Sequence, residues 1–255
     1  MLSRTILPVF ARILSLTLPP RTWYRCALWV SMAFAWILPY CRPRRRFRPH
    51  RYETAILLNR MLAFLTRTGR PFPISWRLDA ASREALDSAA ASGRGLVICS
   101  AHLPLIKVAV RAMIEIGRTP TVAIAAEPGP DGRIPIWGLT GRLDTLKVQP
   151  DVLLRSRTVL ARGGSILLLV DTLGGDYSPN IFRLAKATGV GVLFFGAELD
   201  RDGRVQVRVF PPPFPGCADP EQIAGNLLAL DREIKRISAR REDRPFDTIP
   251  AGRLT

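Results

Sequence analysis

Gly95-Leu96-Val97-Ile98-Cys99-Ser100-Ala101-His102-Leu103-Pro104-Leu105-Ile106-Lys107 decides how this chain folds. A short apolar run opened by glycine reads as a buried strand over residues 96–101, because a strand covered on both faces needs apolar residues at successive positions. Pro104 suits the first turn of a following helix that reaches about Ile116. His102 then stands where strand gives way to helix, the sheet edge at which α/β proteins gather their ligands. A histidine at that place is a general base, a helix cap or a side chain satisfied in the core. Only one other histidine occurs, His50, inside an arginine run.

Downstream the same alternation continues. A strand is expected at 121–126, followed by a Pro/Gly loop at 127–132. A helix at 151–162 and Gly163-Gly164 lead into a strand at 165–171. The Gly-rich loop 173–178 precedes a helix at 179–188. Strands 190–199 and 204–210 are joined by the hairpin signal Asp200-Arg-Asp-Gly203. A last helix is expected over 221–241, with Asp219 as its cap. Upstream, helical spacing marks 52–68 and 79–92. Strands alternating with helices imply an α/β domain with a mainly parallel sheet flanked by helices, and the hairpin adds an antiparallel edge. Asp171, at the end of its strand, is expected to face His102 across one crevice. Its alternative role is to cap the loop behind it.

The 255 residues carry a net charge of +16. Residues 1–70 hold thirteen Arg against Glu53 alone, so +12 of that excess is N-terminal. It adjoins a charge-free stretch, Cys26–Cys41, that is rich in tryptophan and tyrosine. At ~1.5 Å per residue the stretch covers roughly 24 Å, short of the ~30 Å hydrocarbon core. Six of the ten residues Arg42–Arg51 are Arg. Basic residues beside an apolar segment suit an anionic membrane surface better than specific nucleic-acid binding. Residues 1–51 are therefore read as a membrane anchor and basic juxtamembrane segment, spanning or set in one leaflet, and 52–255 as the α/β domain. The arginines place that domain on the cytoplasmic side. Cys26, Cys41, Cys99 and Cys217 lack metal spacing, so neither zinc nor a disulfide framework is expected. Gly174-Gly175 is not followed by Gly-Lys-Ser/Thr, which argues against a nucleotide loop.

Three pieces together resemble the lysophospholipid acyltransferase superfamily, and within it the lipid A biosynthesis acyltransferase branch. They are the anchor with its arginines, Gly95–His102 with its helix, and Leu160–Asp171 continued by Phe182–Gly189. The resemblance implies a glycerolphosphate acyltransferase-like fold at the inner membrane. It also implies transfer of an acyl chain from an acyl carrier protein or coenzyme A thioester to a lipid hydroxyl, on a lipid A precursor or lysolipid, with no other cofactor. The family motif is histidine, four residues, then Asp or Glu. Here the last position is Lys107, and an ammonium cannot accept the imidazole N–H. The chain also lacks the family's tryptophan-rich end.

Three readings follow. In the first, Asp171 replaces the missing carboxylate and His102 remains the base; Glu115, about 20 Å along the helix, is a worse substitute. In the second, catalysis is lost and the protein binds anionic lipid, with Lys107 as a phosphate ligand. In the third, this is a different membrane-associated α/β protein. Arg157 and Arg162 are further candidates for binding phosphate or an acidic carrier, against an ordinary role as solvated helix residues.

Overall fold

A computed structural model describes residues 2–40, 51–124, 132–171, 177–216 and 219–238. Most of the arginine run, the expected strand end at 125–126, most of the loops 127–132 and 173–178, and 239–241 of the last expected helix lie outside them. In chain order the elements are α1 (Leu2–Thr17), α2 (Pro20–Tyr40), α3 (Arg51–Thr66), β1 (Trp76–Leu78), α4 (Ala80–Ala91), β2 (Leu96–Ser100), α5 (Ile106–Glu115) and β3 (Thr121–Ile124). They continue with β4 (Arg133–Pro135), β5 (Arg142–Lys147), α6 (Val152–Ala161), β6 (Ser165–Leu169), α7 (Asn180–Thr188), β7 (Gly191–Leu199), β8 (Val205–Phe210) and α8 (Pro220–Ser238).

The strands form one sheet in the order β1-β8-β7-β2-β6-β3-β5-β4. Pairing is parallel except for β7 with β8 and β4 with β5. The protein is thus α/β, with a mixed, mostly parallel sheet flanked by helices. β2 lies between β6 and β7, so it is covered on both edges and both faces. Its side chains alternate accordingly. Ile98 joins the core beneath α1 to α5, whereas Val97 and Cys99 join a second core beneath α6 to α8.

Gly95 sits where this strand enters the sheet. A Cβ there would lie 2.5 Å from the Leu160 carbonyl oxygen and 2.9 Å from that of Gly164. The end of α6 can therefore close on the strand only because the side chain is absent.

The N-terminal helices pack on the domain. Leu7, Leu14, Trp23 and Ala27 belong to the same buried cluster as Ile98, Leu193 and Phe195 of the sheet. The Trp23 indole donates to the Leu18 carbonyl at 2.9 Å, and the Tyr24 hydroxyl donates to the Gly203 carbonyl at 2.7 Å. Gly203 has φ of 74°, and a Cβ on it would meet Leu28 at 2.4 Å, so the β7–β8 turn and α2 require glycine at this contact. No helix among the described residues is long and apolar enough to cross a membrane. The outer side of α1 and α2 nonetheless exposes Val9, Ile13, Leu16, Trp29, Trp36 and Ile37.

α5 begins at Ile106 rather than Pro104: Leu103 to Leu105 form a turn, and Leu105 caps the helix without a side-chain hydrogen bond. Three strands appear that the apolar pattern does not announce: β1, β4 and β5.

Candidate active site

His102 and Asp171 are brought together by the register of β2 and β6. The parallel pairs run from Leu96↔Ser165 to Ser100↔Leu169. Two residues beyond the last pair, the same offset sets His102 opposite Asp171. The contact is direct. Asp171 Oδ1 lies 2.9 Å from His102 Nδ1, and the His102 main-chain N–H points at both carboxylate oxygens, at 3.1 and 3.0 Å. Asp171 is only partly exposed, while the His102 side chain is 68% exposed.

An ionised carboxylate is an acceptor only, so Nδ1 carries the proton in this bond and Nε2 keeps its lone pair. That leaves one nitrogen free to take a proton from an incoming group. The carboxylate fixes the tautomer and stabilises the imidazolium that forms.

Asp171 is itself held from behind. It forms an antiparallel bridge with Tyr177, and the Ser178 N–H donates to the Val170 carbonyl at 2.8 Å. The Tyr177 hydroxyl donates to Asp231 Oδ1 at 3.1 Å, and Lys235 pairs with Asp231 Oδ2 at 2.8 Å. Burial first, then the neighbouring Asp231 and Asp171 carboxylates, raise the Tyr177 phenol well above its usual range, so it stays a donor.

Lys107 is the second residue of α5. Its side chain turns to Trp137, with Nζ 5.2 Å from the ring centre. No hydrogen bond or ion pair joins it to His102 or Asp171 among the described residues. Partial burial of the ammonium lowers its pKa, and the nearby Arg67 charge lowers it further. Glu115 serves elsewhere. It accepts from Arg111 Nε at 2.9 Å and Nη2 at 2.8 Å, and from the Trp76 indole. Arg111 is buried and also donates Nη1 to the carbonyls of Phe72 (2.8 Å) and Trp137 (3.1 Å). This pair ties α5 to the segments carrying Phe72 and Trp137, and Lys107 leans on the second of them.

Arg157 and Arg162 are exposed residues of α6 and its end. Arg162 precedes β6 and Asp171 follows it, so they flank opposite ends of a strand about 16 Å long. Arg157 lies only about 7 Å up the helix from Arg162. Neither bonds to His102, Asp171 or Lys107 among the described residues. Cavities of about 150 and 340 Å3 open at that far edge, around Arg94 and Gly163. Neither is lined by a member of the His102–Asp171 pair.

The sequence reading passes over Arg111, Arg67, Arg70 and Trp137. An arginine between Val110 and Ala112, on an otherwise apolar helix and four residues before Glu115, is the available signal for a buried pair. Nothing in the spacing of the other three announces that Arg67 lies on Phe64, Arg70 on Trp23 and Lys107 on Trp137. Among the described residues no group of His, Cys, Asp or Glu could hold a metal ion. No protein-family model matches the chain, and no curated protein is significantly similar to it.

Proposed function

We propose that this protein is a membrane-associated acyltransferase, moving an acyl chain from a thioester to a lipid hydroxyl at the cytoplasmic face of the inner membrane. The observation that carries the reading is the Asp171–His102 contact at a sheet edge, through one ring nitrogen of a side chain that is 68% exposed. It supplies from β6 the carboxylate that the family motif would place at Lys107.

In this reaction His102 Nε2 takes the acceptor hydroxyl proton as the oxygen attacks the thioester carbonyl carbon. The C–S bond then breaks, and the departing sulfur takes the proton from the imidazolium. The products are an ester and a free thiol, and the imidazole is neutral again. Asp171 holds the ring through Nδ1 throughout.

The membrane part of the reading rests on the α1–α2 face. Leu16 is 76% exposed and Trp29 70% exposed, on helices whose opposite sides are packed in the core. A one-leaflet insertion by this pair, with the arginines that follow α2 at the headgroups, fits helices too short or too polar to span.

The test is transfer of a labelled acyl group from a carrier-protein or coenzyme A thioester to lysolipid or lipid A precursor, using full-length protein in detergent. His102→Ala is expected to lower turnover by about 10²–10⁴-fold. Lipid binding with no turnover in the unmodified protein would remove the enzyme and leave a lipid-binding protein.

A further inference from the structure

Asp171 lies beyond the ladder that aligns it. The β2–β6 pairing ends at Ser100↔Leu169, and the Val170 N–H donates to the Ser100 carbonyl at 2.8 Å. From there the main chain is held by the Asp171–Tyr177 bridge and by the Ser178 N–H on the Val170 carbonyl. The contact with His102 does not order the carboxylate alone. The imidazole is mostly exposed, and an exposed ion pair is too weak to fix both of its members. The direction of the carboxylate is therefore set from the Tyr177 side.

Tyr177 is anchored in turn. Its hydroxyl donates to Asp231 Oδ1 at 3.1 Å, and Lys235 Nζ lies 2.8 Å from Oδ2. Asp231 stands on α8 in the row Ile223, Leu227, Asp231, whose first two members belong to the core beneath α6 to α8. It is itself buried. A leucine would continue that row with no charge to desolvate, and apolar replacement of a buried ion pair commonly leaves a fold as stable or more so. Stability alone does not account for a carboxylate there. What it supplies is a fixed acceptor for the hydroxyl of the residue whose backbone pairs with Asp171.

We infer that Tyr177 and Asp231 are positioning residues, which hold the Asp171 carboxylate in line with His102 Nδ1 by tying the end of β6 to α8. Neither bonds to His102 among the described residues. Tyr177 acts through its main-chain bridge, and Asp231 acts through the Tyr177 phenol. The charged groups around that phenol are Asp231 and Asp171, with Lys235 beyond Asp231. The effect on turnover rests on the acyl-transfer reading; the effect on the ring does not.

The experiment is nuclear magnetic resonance of full-length protein in detergent, isotopically labelled at its histidine nitrogens. The His102 ring, assigned by its loss in His102→Ala, then shows which nitrogen of the neutral imidazole carries the proton. Unmodified protein should show the Nδ1–H form that a carboxylate at Nδ1 imposes. Tyr177→Phe keeps the aromatic ring and removes the hydroxyl. It should shift the population toward Nε2–H and lower turnover by about 10–100-fold with KM unchanged. Tyr24→Phe removes a comparable hydroxyl bond from the other core and should leave the His102 ring as it was. The double variant Tyr177→Phe/Asp231→Leu makes that interior apolar. It should melt no lower than Tyr177→Phe, yet keep the shifted ring, which separates positioning from stability. An unmodified ring already in the Nε2–H form, a ring unmoved by Tyr177→Phe, or a return to Nδ1–H in the double variant overturns the inference. Ring responses as expected, with no acyl transfer by the unmodified protein, support the positioning and remove the acyl-transfer reading.

Discussion

Asp171 reaches His102 from two directions, accepting its main-chain N–H at 3.0 Å while Oδ1 meets ring nitrogen Nδ1 at 2.9 Å. One carboxylate thus sets both the path of the loop after β2 and the tautomer of the ring.

Asp171→Asn separates these two effects. The amide oxygen can still accept the main-chain N–H, so stability should change by no more than about 1 kcal/mol. The amide cannot stabilise an imidazolium, and turnover should fall by about 10²–10⁴-fold. Thermal unfolding and steady-state kinetics on the same preparation check both halves.

Lys107→Asp should stabilise the fold and leave turnover unchanged, because Asp171 supplies the carboxylate. An acidic residue in the first turn of α5 is favoured by about 0.3–1 kcal/mol, and it would attract Arg67 where Lys107 repels it. A rise in melting temperature of roughly 1–4 °C is expected, with turnover unchanged. Higher turnover would mean that the motif position itself, and not Asp171, supplies the carboxylate.

Arg111→Ala should be among the most damaging single changes. It leaves Glu115 without its cation and strips the Phe72 and Trp137 carbonyls of a buried donor. A loss of about 3–5 kcal/mol is expected in urea unfolding. Arg111→Lys should recover only part, because one ammonium cannot reproduce the fork.

Stability should decline in alkali. Tyr24 is raised by burial and by Asp200, and Tyr177 by burial and by Asp231. Both phenols keep their proton in the fold above the pH at which the unfolded chain loses it. Their stabilising contribution is therefore complete below about pH 10 and is lost as pH rises beyond that value. Tyr24→Phe should flatten this decline, while costing about 0.5–1.5 kcal/mol at neutral pH through the lost bond to Gly203. Denaturant midpoints measured from pH 7 to 11 check the sign.

Replacing Trp29 and Trp36 together by Glu should weaken sedimentation with anionic vesicles by about tenfold or more, equivalent to ~1.4 kcal/mol or more. Both side chains are more than half exposed, so the far-ultraviolet spectrum should not change. Unaltered vesicle binding would remove this face as the anchor.

The centre of the fold was legible because β2, β6 and β7 are apolar nearly throughout, a pattern that only a doubly covered strand requires. That pattern also set His102 and Asp171 at the same sheet edge, since parallel strands end on the same side. The edge strands were not legible. β5 exposes Arg142 and Asp144 on either side of buried Leu143, and β4 is three residues long and ends in Pro135. Such strands take their conformation from the neighbour they pair with rather than from local preference. Arg157 and Arg162 show the converse limit: charge and proximity in sequence to Asp171 do not say at which end of β6 a side chain lies.

Gly95 carries an evolutionary consequence. With the Leu160 carbonyl only 2.5 Å from where a Cβ would stand, even alanine would force β2 and the end of α6 apart. Any descendant or relative that keeps this seam must keep a glycine there, whatever it places at position 107. Across divergent sequences, a glycine seven residues ahead of the histidine should thus mark shared ancestry more faithfully than the motif acid does.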